Sequence, residues 1–318
     1  MLKIKPPPMK IASIWKNLLC LITGFTIGLY STFIWSNNAQ LLDGIVTSKH
    51  GLKTSFGESF HNNTRVLCWI MTQPENHLIK AIHIRHTWGR RCNKLLFISS
   101  KEDNVLQTIA LPVEEGRQHL WEKTKLALKY VYDHHLNDAD WFLKADDDTY
   151  IIMENLRSFL SSHSSNEPVY FGCKLQQHLR QGYMSGGAGY VLSRKALETF
   201  TTEAYENDSV CSREFQAEDL QLGMCLENIG VVAGDSRDPE GMERFIPLAP
   251  HDVIRNIRSE WYSQLVYHEN KKNVSCCSSE VISFHYLIPE EFYVMEYFLY
   301  KLKPLNKADN GRLNASQS

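Results

Sequence analysis

From Arg65 onward, short apolar runs alternate with amphipathic stretches. Arg65–Met71 (RVLCWIM) and Leu95–Ile98 (LLFI) are bounded by polar residues, the pattern of strands buried on both faces. Between them Ile79, Ile82 and His86 fall at helical spacing. From Glu114 to His135 the positions Leu120, Thr124, Ala127, Leu128 and Val131 form one helical stripe. Ala139–Ala145 (ADWFLKA) reads as a third strand, with Asp146-Asp147-Asp148 at its C-terminal end and a helix at about 152–162 behind it. Tyr190-Val191-Leu192 reads as another strand, and Ser193 as the N-cap of a helix. Leu222, Cys225, Leu226 and Ile229 share one face of a helix that starts at Glu218-Asp219. This order predicts an α/β class sandwich on a mostly parallel sheet. In such sheets ligands bind at the carboxyl ends of strands, where the three aspartates fall.

A different pattern precedes Arg65. Asn17–Trp35 is a run of 19 residues without a charge, ending in Trp35 and preceded by Trp15. As a helix it spans roughly 28 Å, close to a bilayer core. Lys3, Lys5, Lys10 and Lys16 all lie before it, so the positive-inside rule keeps the N-terminus cytosolic. A cleaved signal peptide is the rival, but the run exceeds a usual h-region and no clean A-x-A site follows it. The expected organisation is a cytosolic tail (1–16), a signal anchor (17–35), a polar stem (36–63), a body (64–305) and a polar tail (306–318).

The chain's 318 residues include 43% hydrophobic residues and carry a net charge of −2, which excludes a disordered chain. Four of the 34 Lys+Arg precede the apolar run, leaving 30 against 36 acidic residues, about −6 for the rest. Nothing there suggests nucleic acid as a partner. Translocation predicts an oxidising compartment. Seven cysteines follow the anchor (Cys68, Cys92, Cys173, Cys211, Cys225, Cys276 and Cys277), so at least one is free or pairs between chains. Sequons at Asn62, Asn207, Asn273 and Asn314 fit a lumenal body.

Four features carry candidate chemistry. Adjacent carboxylates at Asp146, Asp147 and Asp148 repel one another unless solvated or neutralised by a cation; Mg²⁺ or Mn²⁺ would suit them and could bridge a nucleotide diphosphate. The alternative is an acidic turn capping the next helix. Gly186, Gly187 and Gly189 permit close backbone approach to a ligand, or a plain tight turn. Glu218-Asp219 offers a general base or a complement to the helix dipole. His285, in Ser283-Phe284-His285-Tyr286, reads on its own as a core histidine rather than a ligand.

Taken in order, VLCWIMT, HTWGRRCNKLLFISS, DADWFLKADDDTY, YFG, QGYMSGGAGYVLS, EDLQLG, GDSRD, CCS and SFHY resemble the core 1 β1,3-galactosyltransferases, fringe relatives of glycosyltransferase family 31. The resemblance runs from about Arg65 to Pro304. It implies a GT-A fold and inverting transfer of galactose from UDP-galactose to the 3-hydroxyl of GalNAc on Ser/Thr of glycoproteins. Asp146, Asp148 and His285 match metal positions, with Mn²⁺ as cofactor, which replaces the core reading of His285. Asp219 matches the base. Met71, Arg85, Lys123, Asp147, Gly186 and Gly187 fall on the donor side; Trp261, Tyr286 and Glu218 fall on the acceptor side. The resemblance also implies a Golgi type II membrane protein, a homodimer, a dedicated chaperone, and pairing of Cys68 with Cys92. Cys211, Cys225, Cys276 and Cys277 are left to pair among themselves.

The chain departs from that pattern in three places. Cys173 stands where relatives usually have a basic residue, and is the candidate for the odd thiol. Ser279 replaces a common Asp, and residues 241–272, on the acceptor side, diverge. Two alternatives stay open: a non-catalytic, chaperone-like relative, or a β1,3-glycosyltransferase with another donor or acceptor. The retained acidic triplet, Glu218-Asp219 and His285 favour the enzyme.

Overall fold

Alternate residues of the first strand, β1 (Val66–Met71), enter two different cores, because successive side chains on a strand point to opposite faces. Val66, Cys68 and Ile70 pack on one side; Leu67, Trp69 and Met71 pack on the other. All six are buried, so the run had to be apolar throughout. The computed structural model describes residues 64–177, 179–211, 217–255, 260–268 and 277–303.

The strands that follow are β2 (Lys94–Ser99), β3 (Ile109–Ala110), β4 (Trp141–Asp146), β5 (Tyr150–Ile151), β6 (Val169–Gly172), β7 (Lys174–Leu175), β8 (Tyr183–Met184), β9 (Tyr190–Ser193), β10 (Val232–Ala233), β11 (Phe245–Ile246) and β12 (Ser283–Phe284). The helices are α1 (Ile82–His86), α2 (Leu120–His135), α3 (Met153–Leu160), α4 (Arg194–Thr199), α5 (Glu218–Asn228), α6 (Pro250–Ile254), α7 (Glu260–Leu265) and α8 (Pro289–Glu296).

Seven strands form the central sheet in the order β10-β6-β9-β4-β1-β2-β3. The sheet is mostly parallel, as expected, with a single antiparallel strand. The pairs β1/β2, β1/β4, β2/β3 and β6/β10 are parallel, but β9 runs antiparallel to both β4 and β6. The cause is local: the loop from β8 through Gly186–Gly189 returns the chain along β4 without a crossover helix. One face of the sheet is covered by α2, α4 and α5 through Ala127, Leu128, Val131, Leu197, Leu222 and Leu226. The other carries α3 through Met153 and Leu156, with Trp88 and Tyr150.

A smaller sheet, β11-β12-β5, stands beside the C-terminal end of β4. It is built by pairing residues 150–151 with 283–284. The stretch around Ile79 differs from the simple helix expected. One π turn (His77–Ala81) leads into α1, and Ile79 is exposed while Ala81 and Ile84 are buried. Ser193 caps α4 as expected, its hydroxyl accepting from the Ala196 amide.

Cys68–Cys92 and Cys211–Cys225 are disulfides, Cys277 is also disulfide-bonded, and Cys173 is a free, buried thiol. Burial pushes the Cys173 thiol well up, which keeps it protonated and unreactive. The anchor 17–35, the stem, the tail 306–318, Cys276, Asn62, Asn273 and Asn314 lie outside the described residues. Among the described residues no helix is long and apolar enough to cross a membrane.

Candidate active site

The carboxyl end of β4 is where the acidic triplet leaves the sheet. Asp146 is the last residue of β4, paired in register with Met71, the last of β1. The turn closes when the Thr149 amide donates to the Asp146 carbonyl. β5 then pairs with β12, Tyr150 facing Phe284, so the residue after β12 is delivered to the triplet. That residue is His285. One ligand atom each of Asp146, Asp148 and His285 lie within 4.8 Å of one another. The His285 Nε2 is 3.1 Å from Asp148 and 3.8 Å from Asp146.

The three aspartates escape mutual repulsion by taking different environments. Asp147 turns inward, accepting from the Thr72 hydroxyl at 2.8 Å and the Asn76 amide at 2.9 Å. Burial raises its pKa to about 6, against the pull of those two donors. Asp148 faces His285 and the Lys80 ammonium, 3.1 Å away. Burial pushes it upward, but His285 and Lys80 outweigh that and bring it to about 2. Two oxygen donors and an imidazole suit a borderline cation such as Mn²⁺ better than Ca²⁺. The backbone makes room for that donor set. A Cβ on Gly187 would lie 2.3 Å from His285 Cε1 and 2.4 Å from its Nδ1, so only glycine lets the imidazole sit there. The trio therefore fits a divalent cation.

A cleft of about 540 Å³ opens beside it, lined by Met71, Lys144, Asp146, Gly186, Gly187, Glu218, Asp219, Trp261, His285 and Tyr286, together with Arg117, Gln177 and Tyr183. Asp219 sits in the first turn of α5, where the macrodipole favours a carboxylate. One oxygen accepts from the Gly186 amide and the other from the Leu220 amide, both at 2.9 Å. Glu218 turns inward instead, accepting from the Tyr190 and Thr124 hydroxyls at 2.8 and 3.0 Å. Burial raises its pKa, partly offset by Lys144. Trp261, on α7, and Tyr286 are exposed at the mouth. The Tyr286 ring lies against His285, tilted by 32° with ring centroids 3.8 Å apart, and the residue holds a φ of 59°. A bulky residue in that region is strained, and such outliers gather at binding sites.

Three expected donor-side residues are placed elsewhere. Arg85 does not line the cleft; its guanidinium donates to the Val105 carbonyl. Asp147 is spent on Thr72 and Asn76, because neighbours in an extended turn point opposite ways. Lys123 is buried and donates to the Thr72 carbonyl and both Glu115 oxygens; burial lowers its pKa, offset by Glu115. Asp147 and Lys123 meet at Thr72 and so brace the end of β1 rather than face the cleft. The sequence reading missed Lys80, Lys144 and Arg117. Lys144 had a signal: it is a charge inside an otherwise apolar strand.

Residues 63–300 match the Fringe-like family. A Xenopus laevis glycoprotein-N-acetylgalactosamine 3-beta-galactosyltransferase 1 is 44% identical over 273 residues, covering 84% of this chain and 75% of that protein. The chain belongs to the Fringe-like family. More distant relatives share only part of it. Human chondroitin sulfate synthase 3 and a mouse beta-1,3-glucosyltransferase are each 29% identical over 51% of this chain, covering 20% and 33% of their own lengths. Among solved structures, the galactosyltransferase LgtC with donor and acceptor analogues aligns over 77% of this chain and 99% of that one, at 10% identity and a TM-score of 0.41. A Drosophila galactosyltransferase 7 mutant in complex with manganese, UDP-Gal and xylobiose aligns at 9% identity and a TM-score of 0.36, covering 78% of this chain and 80% of that one.

The Fringe-like match spans every element that builds the cleft, from β1 to α8. It also contains the divergent 241–272 stretch, of which Trp261 lines the cleft and Tyr262 is buried against the core.

Proposed function

We propose that this chain is an inverting, metal-dependent galactosyltransferase of GT-A type. It moves galactose from UDP-galactose to the 3-hydroxyl of GalNAc α-linked to Ser/Thr of glycoproteins, forming the core 1 disaccharide Galβ1-3GalNAc. The observation that carries the reading is one cleft lined by Asp146 and His285 of the Asp146/Asp148/His285 trio, by the backbone-fixed Asp219 and by two exposed aromatic rings. The 44% identity to the Xenopus galactosyltransferase supports the choice of sugar and acceptor.

Each group then has a role. Asp146, Asp148 and His285 would hold the cation, which when bound would supply positive charge to the leaving diphosphate. Asp219 takes the proton of the acceptor 3-hydroxyl as that oxygen attacks the anomeric carbon from the side opposite the UDP oxygen. The C–O bond to the new acceptor forms as the bond to UDP breaks, so configuration inverts and no covalent enzyme intermediate is needed. Its two amide donors keep Asp219 in one rotamer, so orientation is set before the acceptor arrives. Trp261 and Tyr286 offer apolar faces for the acceptor ring. Met71, Gly186 and Gly187 line the donor side, with Asp147 and Lys123 acting from behind through Thr72.

The compartment is part of the same reading. A signal anchor at 17–35 places the body in the Golgi lumen; the disulfides at Cys68–Cys92 and Cys211–Cys225 support an oxidising environment.

The test is UDP release from UDP-galactose by the purified chain, with a GalNAc-α-Ser/Thr glycopeptide, in Mn²⁺ and in EDTA. Release that needs both metal and glycopeptide is expected. A chain that binds UDP but releases none with this glycopeptide has a different acceptor. One that neither binds nor releases UDP belongs with the non-catalytic relatives.

A further inference from the structure

A lysine is buried at the centre of the cleft floor, and the chemistry above gives it nothing to do. Lys144 lies two residues before Asp146 on β4 and is 2% exposed. Burying an ammonium is costly unless every proton is used. Its Nζ is 2.6 Å from Asp146 Oδ1 and donates to the Gly186 carbonyl at 3.0 Å. The Tyr190 ring lies 5.7 Å below it.

Those contacts join two halves of the site, beside a second tie in which the Thr149 hydroxyl donates to the Gly187 carbonyl at 2.9 Å. On one side is Asp146, a member of the cation trio. On the other is Gly186, whose amide donates to Asp219 Oδ2 at 2.9 Å. Gly186 is thus held at both ends of one residue, its carbonyl by Lys144 and its amide by the base. Glu218 closes the arrangement: a Cβ on Gly186 would meet Glu218 Oε2 at 2.9 Å and Lys144 Nζ at 3.4 Å.

We infer that Lys144 is the positioning residue that couples the cation site to the base, holding Asp146 and the Gly186 loop in one fixed relation. The inference rests on the roles proposed above for Asp146 and Asp219. It has a signature that simple structural support lacks. Lys144 is a positive charge 2.6 Å from a carboxylate that would also hold Mn²⁺. Lys144 acts on the metal in two opposed ways, repelling a cation as a like charge and orienting the Asp146 carboxylate, so its removal changes Mn²⁺ affinity by no more than about tenfold. Turnover still falls, because the Gly186 loop no longer presents Asp219 in register.

The test is Lys144→Met, which keeps the length and loses the charge, compared with the parent and with Asp219→Asn. Three readouts are taken on the full chain: Mn²⁺ binding followed by the electron paramagnetic resonance signal of free Mn²⁺, the KM for UDP-galactose, and kcat at saturating Mn²⁺. The expected result is Mn²⁺ affinity within about tenfold of the parent, KM within about threefold, and kcat at saturating Mn²⁺ down ~30-fold or more, in the range of positioning losses. Mn²⁺ affinity that falls in step with kcat, or a kcat restored by excess Mn²⁺, overturns the inference. If Lys144→Met does not fold, Lys144→Gln is measured in the same way; its amide can still donate to the Gly186 carbonyl, so the kcat loss should be smaller, at least ~3-fold, with Mn²⁺ affinity again within about tenfold, and an unchanged kcat overturns the inference. Full activity in Asp219→Asn would instead overturn the assignment of the base, and is recognised separately from the lysine's result.

Discussion

Replacing Gly187 with alanine adds one methyl group to the wall of the cation site. The new Cβ would meet His285 Cε1 at 2.3 Å, Nδ1 at 2.4 Å and Nε2 at 2.9 Å. Ordinary contact begins near 3.4 Å, so the imidazole must retreat by about 1 Å. Tyr286 lies against that ring with centroids 3.8 Å apart, which limits the retreat. From 3.1 Å to Asp148 and 3.8 Å to Asp146, a retreat of that size carries the ring nitrogen to the edge of the 4.8 Å cluster and spoils its aim at a shared cation. Disturbing a group that merely orients a metal ligand costs ~10–100-fold in affinity; moving the ligand itself costs at least that. The fold should hold, because Gly187 is not among the glycines with positive φ and alanine there restricts the unfolded chain. The assay is UDP release against Mn²⁺ concentration, with thermal unfolding in EDTA alongside. The expected outcome is a half-activating Mn²⁺ concentration raised at least ~10-fold and a near-parental metal-free Tm. In a His285→Ala background the same methyl should cost almost nothing further, since the two changes act on one contact. Unchanged Mn²⁺ dependence of Gly187→Ala, or full additivity with His285→Ala, would refute the assignment of His285 to the cation.

Four further outcomes are expected. Asp148→Asn should lower Mn²⁺-dependent turnover by more than ~100-fold with little loss of secondary structure by circular dichroism, since its carboxylate faces Lys80 and His285 rather than the apolar core. Asp219→Asn should keep UDP binding in calorimetry while turnover drops ~10²–10⁴-fold; lost UDP binding would mark Asp219 as a helix cap only. Glu243 is buried, and burial, with Asp235 and Asp238, raises its pKa to about 7 against Arg237 and Lys174. The folded state therefore holds a proton that the unfolded state has lost, and stability falls as pH rises from about 4.5 to 7, by about 3 kcal/mol; Glu243→Gln should match the parent near pH 4.5 and exceed its Tm by several degrees at pH 7.5. Asn207, exposed in a turn with its Oδ1 accepting from the Ser209 amide and hydroxyl, should carry a glycan in a secretory host, seen as a mobility shift that Asn207→Gln abolishes.

How much of this was legible in the chain depends on the range of the interaction involved. Strands β1, β2 and β4 and helix α5 are legible within a residue or two, because each announces itself by apolar period alone; α2 is legible at its C-terminal end, but the reading starts it at Glu114 where the helix begins at Leu120. The Cys68–Cys92 bridge came only with the family resemblance. The antiparallel β9 was missed, since periodicity carries no strand direction. Arg85, Lys123 and Asp147 were grouped with the cleft by similarity, but a side chain's heading depends on neighbours tens of residues away. Thr72, Asn76 and Val105 decide it here. Lys144 went unremarked although a lone charge in a doubly buried strand must have partners.

His285 shows why local pattern was not enough. Within Ser283–Tyr286 nothing distinguishes a ligand from a core histidine. What decides between them is the pairing of β12 with β5, where Phe284 faces Tyr150. β5 follows the acidic triplet by one residue, so any residue just after β12 must arrive beside Asp148. A slip of one residue would bring Tyr286 or Phe284 there instead and send the histidine to the other face. The register is pinned from three directions. The Ile152 amide donates to the Ile282 carbonyl, the Ser283 hydroxyl donates to the Ala188 carbonyl, and the Leu287 amide donates to the Asp148 carbonyl. The last two tie β12 to the glycine loop and to the triplet itself. The Asp146/Asp148/His285 cluster is therefore a product of strand register, and under the proposed function the two-residue strands that set it matter more than their length suggests.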